Sequence, residues 1–150
     1  MSAAFKEEDD IMTDTTIHAT VSTYICVSNA VAAIDFYTRA FDAIERYRID
    51  GDGKIGHAEL AIGNTVIMLS DEYPEIGVVS PGTLKGASTS FVLDIPDLDA
   101  AWKRALDAGA TIQRPIEDNP YGRGGWVTDP FGYRWSIMTS NPDFNPEDMK

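Results

Sequence analysis

The chain has one cysteine, Cys26, in 150 residues, so no disulfide can close within it. Histidine is nearly as scarce: His18 and His57 are the only two, which leaves little for a histidine-based metal site. Basic residues are few. Lys and Arg number 12 against 24 Asp and Glu, a formal net charge of −12. That field repels a phosphate backbone, so nucleic acid is not an expected partner. No apolar run approaches the ~20 residues that cross a bilayer. The opening MSAAFKEEDD is acidic, where a secretory leader starts basic and then turns apolar. A cytoplasmic protein without membrane contact is the expectation. There is no phosphate loop, no Gly-x-Ser-x-Gly nucleophile elbow and no Cys-x-x-Cys pair, which removes several chemistries that announce themselves by spacing.

What remains is ordinary for a globular chain: 43% hydrophobic and 24% charged residues. Residues 1–19 are polar, acidic and without period, and read as a flexible arm. Residues 20–140 read as one domain, and 141–150 as a tail. Within the domain the pattern runs strand, helix, three strands, and then repeats. Val21–Val27 is β-rich. Ser28 and Asn29 suit a helix N-cap, and Ala30, Ile34, Tyr37 and Phe41 then recur at helical spacing. Glu45–Ile49 reads as a strand. Gly63-Asn64 divides His57–Ile62 from Thr65–Ser70, a tight hairpin that sets Ile62 opposite Thr65, Glu59 opposite Met68 and His57 opposite Ser70. In the second half, Ser90–Ile95 is a strand. Asp97 caps a helix with Leu98, Ala101, Trp102 and Ala105 on one stripe, and Gly109 ends it. Strands follow at Ala110–Arg114, Trp126–Thr128 and Arg134–Thr139.

A shift of 68 positions superposes Ser22 on Ser90, Ala32 on Ala100, Ala33 on Ala101, Ala40 on Ala108 and Ile44 on Ile112. Together with the element order, this predicts an α+β fold of two tandem βαβββ modules. The modules span 20–72 and 88–140, joined by an acidic linker at 73–87. Curved sheets around a cup are the expected architecture.

Strand alternation separates two faces on each sheet. One is nearly all aliphatic or aromatic: Ile25 and Val27; Ala58, Leu60, Ile62, Ile67 and Leu69; Phe91, Leu93 and Ile95; Trp135 and Ile137. The other is mixed: Ser22, Tyr24 and Cys26; His57, Glu59, Met68 and Ser70; Ser90, Val92 and Asp94; Arg134, Ser136 and Met138. Apolar walls with a few placed polar groups suit a ligand-binding concavity; a solvated face or a wet dimer interface gives the same pattern.

Ile34-Asp35-Phe36-Tyr37-Thr38-Arg39-Ala40-Phe41, Gly56-His57-Ala58-Glu59-Leu60 and Asp129-Pro130-Phe131-Gly132-Tyr133-Arg134-Trp135 resemble the vicinal oxygen chelate superfamily. That superfamily includes glyoxalase I, extradiol dioxygenases and bleomycin-resistance proteins. The His-Ala-Glu-Leu and Asp-Pro-Phe-Gly runs look most like its PhnB-like branch, and the resemblance covers about residues 20–140. It implies paired βαβββ modules and, often, a homodimer that completes the cup. Metal-dependent members place His and Glu ligands on the first and fourth strands of each module. Carried over, those positions are Ser22, Met68, Ser90 and Ser136. Three hydroxyls and a thioether do not hold a divalent cation against water, so no metal and no other cofactor is expected.

The ligand-facing candidates are Tyr24, His57, Glu59, Met68, Ser70, Ser90, Trp126, Arg134 and Ser136. Tyr24 and Trp126 suit stacking on a flat ligand, although the turn before Gly132 leaves the face of Trp126 open. Arg134 suits an anionic group. Glu59 and His57, two apart on one strand, point the same way. In one reading a desolvated Glu59 has a raised pKa and acts as base, with His57 as acid or orienter. In the other, Glu59 pairs with Arg134 or Arg48 and His57 bonds Ser70. A relocated metal site needs a third ligand, for which Asp94 is the candidate. Cys26 reads as an inert thiol. The expected function is metal-independent binding of a small organic molecule, a drug or a metabolite. The alternatives are a metal-free isomerase or lyase using Glu59 and His57, and an assembly module that buries its sheet face.

Overall fold

The computed structural model describes residues 18–150; all but the last two residues of the 1–19 arm lie outside them. Module 1 consists of β1 (Thr23–Cys26), α1 (Ala30–Phe41), β2 (Ile44–Gly51), β3 (Lys54–Ile62) and β4 (Thr65–Ser70). The linker carries a 3₁₀ turn (Pro74–Ile76) and the single-turn α2 (Pro81–Leu84). Module 2 consists of β5 (Ser90–Asp94), α3 (Leu98–Ala108), β6 (Thr111–Asn119), β7 (Gly122–Thr128) and β8 (Arg134–Ser140). The sheets are β1-β4-β3-β2 and β5-β8-β7-β6. Each has a parallel first pair and two antiparallel pairs.

The repeat holds at the level of register. Tyr24 pairs with Met68, and Val92 with Ser136, each residue 68 positions from its counterpart. The helix signals hold as well. The Asn29 side chain accepts from Ala32 N at 3.0 Å, the Asp97 side chain from Ala100 N at 3.3 Å, and Gly109 ends α3 with a φ of 124°. Ile62 pairs with Thr65 and Glu59 with Met68, and the Gly63 turn takes a φ of 57°, a value open to glycine without strain.

One core serves both modules. It gathers Ile25, Val27, Leu60 and Leu69 from the first sheet, Val127, Trp135 and Ile137 from the second, and Phe36, Tyr37 and Phe41 from α1. Helices α1 and α3 pack on each other. Both sheets turn their aliphatic faces to this core, so the two mixed faces point away from it. Tyr24 and Val92, on the edge strands β1 and β5 of those faces, are 50% and 62% exposed. The cup expected from sequence is therefore two open half-cups in the single chain. An α1 stripe too apolar for solvent has to be covered, and α3 with the second sheet covers it.

Three segments differ from their sequence reading. Residues 114–125, read as a loop, are mostly strand: β6 and β7 form a long hairpin that turns at Pro120-Tyr121. The linker is held by Glu72, whose carboxylate accepts from Ser80 N at 2.7 Å and from the Thr83 hydroxyl at 2.6 Å. The tail folds back: Asn141 N donates to Tyr121 O at 2.8 Å, and Phe144 meets the Tyr121 ring. The Glu72 side chain and that of Asn141, which donates to the Pro120 carbonyl at 3.1 Å, capture backbone groups that no periodicity announces.

Candidate functional site

The mixed face of module 1 is ordered by a row that crosses the whole sheet. Tyr24 on β1 pairs with Met68 on β4, Met68 with Glu59 on β3, and Glu59 with Tyr47 on β2. Directly paired residues share a face, so these four side chains stand side by side, with His57 two positions along β3 on the same side.

Hydrogen bonds link them. Tyr24 Oη lies 2.7 Å from His57 Nδ1. His57 Nε2 lies 3.1 Å from Glu59 Oε2, and the Tyr47 hydroxyl donates to that oxygen at 2.9 Å. Arg46 Nη1 stands 3.5 Å from Glu59 Oε1. Glu59 is buried and His57 half-buried. Hydrogen bonds from His57, then Tyr47, with the Arg46 charge behind them, hold the Glu59 carboxyl below its usual range. It is ionised at neutral pH. Burial raises the Tyr24 hydroxyl above the ordinary phenol range, so it is protonated there.

These facts fix the tautomer. An ionised Glu59 only accepts, so His57 Nε2 carries the proton that it donates. In the neutral ring His57 Nδ1 is then the acceptor and Tyr24 donates to it, while the Tyr24 hydroxyl also lies 3.3 Å from the Gly56 carbonyl. The expectation of a raised Glu59 is overturned: a carboxylate with several donors stays charged in spite of burial. The expected partners are overturned too. Arg48 forks onto Glu45 at 2.5 and 2.9 Å. Arg134 Nε donates to Gln113 at 2.7 Å. The Ser70 hydroxyl donates to the Asp71 carbonyl at 2.9 Å, not to His57.

Tyr47 and Arg46 escape a reading by alternation because β2 is bulged. Its register slips between Glu45 and Tyr47, leaving Arg46 as the extra residue. A bulge lets neighbouring residues reach one face, and here both reach Glu59. Arg48, in register with Ala58, falls on the other side.

The remaining candidates lie on the second sheet. Ser136 pairs with Trp126, which pairs with Arg114, so Trp126 belongs to the mixed face. The Arg134 guanidinium stacks over the Trp126 ring at 4.3 Å. Ser90 is exposed at the start of β5. Among the described residues, no hydrogen bond, ion pair or ring contact joins Ser90, Trp126, Arg134 or Ser136 to the Tyr24–His57–Glu59 group. The chain thus brings together Tyr24, His57, Glu59 and Met68, with Ser70 on the adjoining row, and keeps the other four on a separate sheet.

Cation chemistry does not fit these donors. Met68 and Ser136 occupy matching places in the two sheets, one a thioether and one a neutral hydroxyl. Asp94, the third-ligand candidate, accepts from Ser140 N at 3.0 Å on the second sheet. Among the described residues, no three of His, Cys, Asp and Glu gather. Burial pushes the Cys26 thiol up to about 11, which leaves it protonated and inert. Gly51, Gly53 and Gly56 have the spacing of a dinucleotide-binding glycine run. They sit at a strand-to-strand turn, so no helix N-terminus follows to hold a phosphate. A surface cleft of about 350 Å³ at Ser28, Pro81, Gly82, Gly86 and Pro130–Gly132 has no ionisable side chain in its lining.

Residues 16–137 match the family model described as the Glyoxalase/Bleomycin resistance protein/Dioxygenase superfamily. The chain belongs to that superfamily. It is 37% identical over 152 residues to an uncharacterized protein of Mycobacterium tuberculosis, covering 98% of this chain and 89% of that one. The X-ray structure of a gene product from Arabidopsis thaliana, 25% identical, superposes with a TM-score of 0.64 over 83% of this chain and 100% of its own. The fosfomycin resistance protein FosX of Listeria monocytogenes, a mutant form complexed with Mn(II) and 1S,2S-dihydroxypropylphosphonic acid, is similar in fold alone. Its TM-score is 0.68 at 14% identity, over 90% of this chain and 100% of that one. The fold is that of two four-stranded mixed sheets with packed helices. No described helix is long and apolar enough to cross a membrane.

Proposed function

We propose that this superfamily member binds a small organic molecule, a drug or a metabolite, without a metal ion. The site is the mixed face of module 1, and the finer family reading is the PhnB-like branch. One observation supports it above others. A connected polar group, Tyr24–His57–Glu59–Tyr47, stands on a face whose neighbours Met68, Ile44 and Ile49 are apolar, the two isoleucines being exposed. Apolar walls around a few fixed polar groups are what ligand sites consist of. FosX is described in complex with manganese, whereas Ser22, Met68, Ser90 and Ser136, the places the family resemblance implies for metal ligands, are of the wrong chemistry for that ion.

A half-cup needs a cover, and a second copy of the chain supplies one. A twofold pairing sets the module 1 face of one protomer against the module 2 face of its partner, and closes two equivalent cups. Arg134, stacked on Trp126, then faces the ligand from the partner's side and favours a planar anionic compound.

The test is a melting screen of small organic compounds on the purified chain, with and without EDTA. A ligand at 100 times its Kd adds about 2.7 kcal/mol, a clear rise in Tm. Hits that persist in EDTA and weaken in Met68→Arg are expected. Hits that vanish with the chelator, or a stoichiometric transition metal in the purified protein, overturn the reading.

A further inference from the structure

We propose that Tyr24, His57 and Glu59 form a proton relay, with the Tyr24 hydroxyl as its terminal acid and base, acting on small carbonyl compounds that carry an acidic C–H. This inference rests on the reading of the module 1 face as a small-molecule site, and assigns that site a reaction class.

Three features carry it. First, the groups are in series: Tyr24 Oη to His57 Nδ1 at 2.7 Å, and His57 Nε2 to Glu59 Oε2 at 3.1 Å. Both ring nitrogens are engaged, which fixes the ring and its tautomer. Second, the far end is anchored. Tyr47 at 2.9 Å and Arg46 at 3.5 Å hold the Glu59 carboxylate, which stays charged and steadies an imidazolium. Third, the near end stands on the open face: Tyr24 is 50% exposed, its hydroxyl also within 3.3 Å of the Gly56 carbonyl, while Glu59 is buried. The order of polar acid–base group, imidazole and carboxylate is that of a hydrolase triad, with a phenol in place of the alcohol. A phenol is a poor nucleophile toward carbonyls when protonated, but a serviceable proton carrier.

The step balances within the site. Tyr24 Oη takes the proton of the substrate C–H as its own hydroxyl proton passes to His57 Nδ1. The C–H electron pair stays on the substrate as an enolate. His57 becomes an imidazolium paired with Glu59. Return of one proton along the same path, to another substrate atom or to the opposite face of the same carbon, restores all three residues. The net change is a tautomerisation or epimerisation, with no oxidant, reductant or co-reactant. Tyr24 alone touches substrate; His57 stores the proton, and Glu59 is a positioning residue. The ionisable groups around His57 are Tyr24 on β1, Arg46 and Tyr47 on β2 and Glu59 on β3, with Tyr73 of the linker close to Tyr24.

The test uses the full chain with phenylpyruvate and acetylacetone as probes. Keto–enol conversion is followed by absorbance and C–H exchange by NMR in D₂O. Melting shifts with the same probes report binding. Wild type is expected to exceed the buffer rate. Tyr24→Phe and His57→Asn are expected to lose about 10²–10⁴-fold while keeping the melting shift. Long-range ¹H–¹⁵N spectra are expected to show His57 protonated at Nε2. Tyr24→Phe should move the Nδ1 resonance and Glu59→Gln should weaken the tautomer preference, which reports the hydrogen-bonded chain, whereas conversion lost with the melting shift kept is the readout that a merely structural chain would not move. A probe that binds without any conversion above buffer overturns the relay and leaves the binding reading intact. Unchanged conversion in Tyr24→Phe, or His57 protonated at Nδ1, also overturns it. No binding and no conversion with either probe overturns both readings for carbonyl ligands.

Discussion

The Tyr37 hydroxyl donates to the Asp129 carboxylate at 2.5 Å, joining α1 of one module to the β7–β8 turn of the other. Both residues are buried, and Asp129 also accepts from Trp135 Nε1 and from the amides of Phe131 and Tyr133. The Asp-Pro-Phe-Gly turn is thus the acceptor on which the two halves converge. Tyr133 adds a second link, donating to the Cys26 carbonyl at 2.8 Å.

Tyr37→Phe removes one donor from a buried carboxylate and is expected to cost about 1–3 kcal/mol. Because the core is shared, the loss should lower a single unfolding transition instead of splitting it. Denaturant melts followed by tryptophan fluorescence and far-UV circular dichroism check this; separate midpoints for the two signals would mean the modules unfold independently.

Charge state gives a pH signature. Hydrogen bonds from His57 and Tyr47 depress Glu59 below the 4.5 of a free glutamate. A depressed carboxylate adds stability above its unfolded value, and that addition is lost as pH falls through the folded value. The Tm gap between wild type and Glu59→Gln should therefore be widest near neutrality and narrow below pH 4.5. Asp129 has the opposite sign. Burial raises it from 3.8, so its protonated form is favoured by folding, and that contribution is lost as pH climbs through the raised value. Thermal melts between about pH 3 and pH 7 separate the two.

Gly125 lies under α3. A Cβ there would stand 2.7 Å from the Trp102 ring and 2.8 Å from the Arg114 carbonyl. Gly125→Ala is expected to destabilise by about 1–3 kcal/mol, the usual cost of overpacking. Gly51→Ala, where a Cβ meets nothing within 4 Å, serves as the control and should shift the midpoint far less.

If a second copy closes the half-cups, a charge on the exposed β5 edge of the module 2 face should keep it away. Val92→Arg, at a position 62% exposed in the single chain, is expected to leave the fold intact by circular dichroism and to convert a dimer into a monomer by light scattering. A dimer that withstands Val92→Arg, with ligand binding unimpaired, would place the contact elsewhere.

Most of the fold was legible because it rests on local periodicities. Alternation in β3 and β4 sorted Leu60 and Leu69 from Glu59 and Met68, and the Gly63-Asn64 turn set their pairing. Side-chain oxygens at Asn29 and Asp97 marked both helix starts. The 68-residue repeat followed from element order and a few identities, and the register of both parallel pairs obeys it. The long β6–β7 hairpin was less visible, since Arg114, Glu117 and Asn119 break the alternation and its register slips twice.

The site was half legible. Sequence by itself determined that His57, Glu59 and Met68 share one sheet face, because a strand's period of two and the Gly63-Asn64 turn leave no other arrangement; the β1–β4 register adds Tyr24. The resemblance to the family, carried onto Ser22, Met68, Ser90 and Ser136, led to the expectation of a site without a metal. Tertiary structure decided the rest. The slip at Arg46, which no composition signals, swung Tyr47 and Arg46 onto Glu59, where they add to the His57 hydrogen bond that depresses that carboxyl. The packing of α1 on α3 depends on how two apolar surfaces far apart in the chain meet. That packing turned the two mixed faces outward, so a row of residues foreseen as one lining is divided between two open sheets.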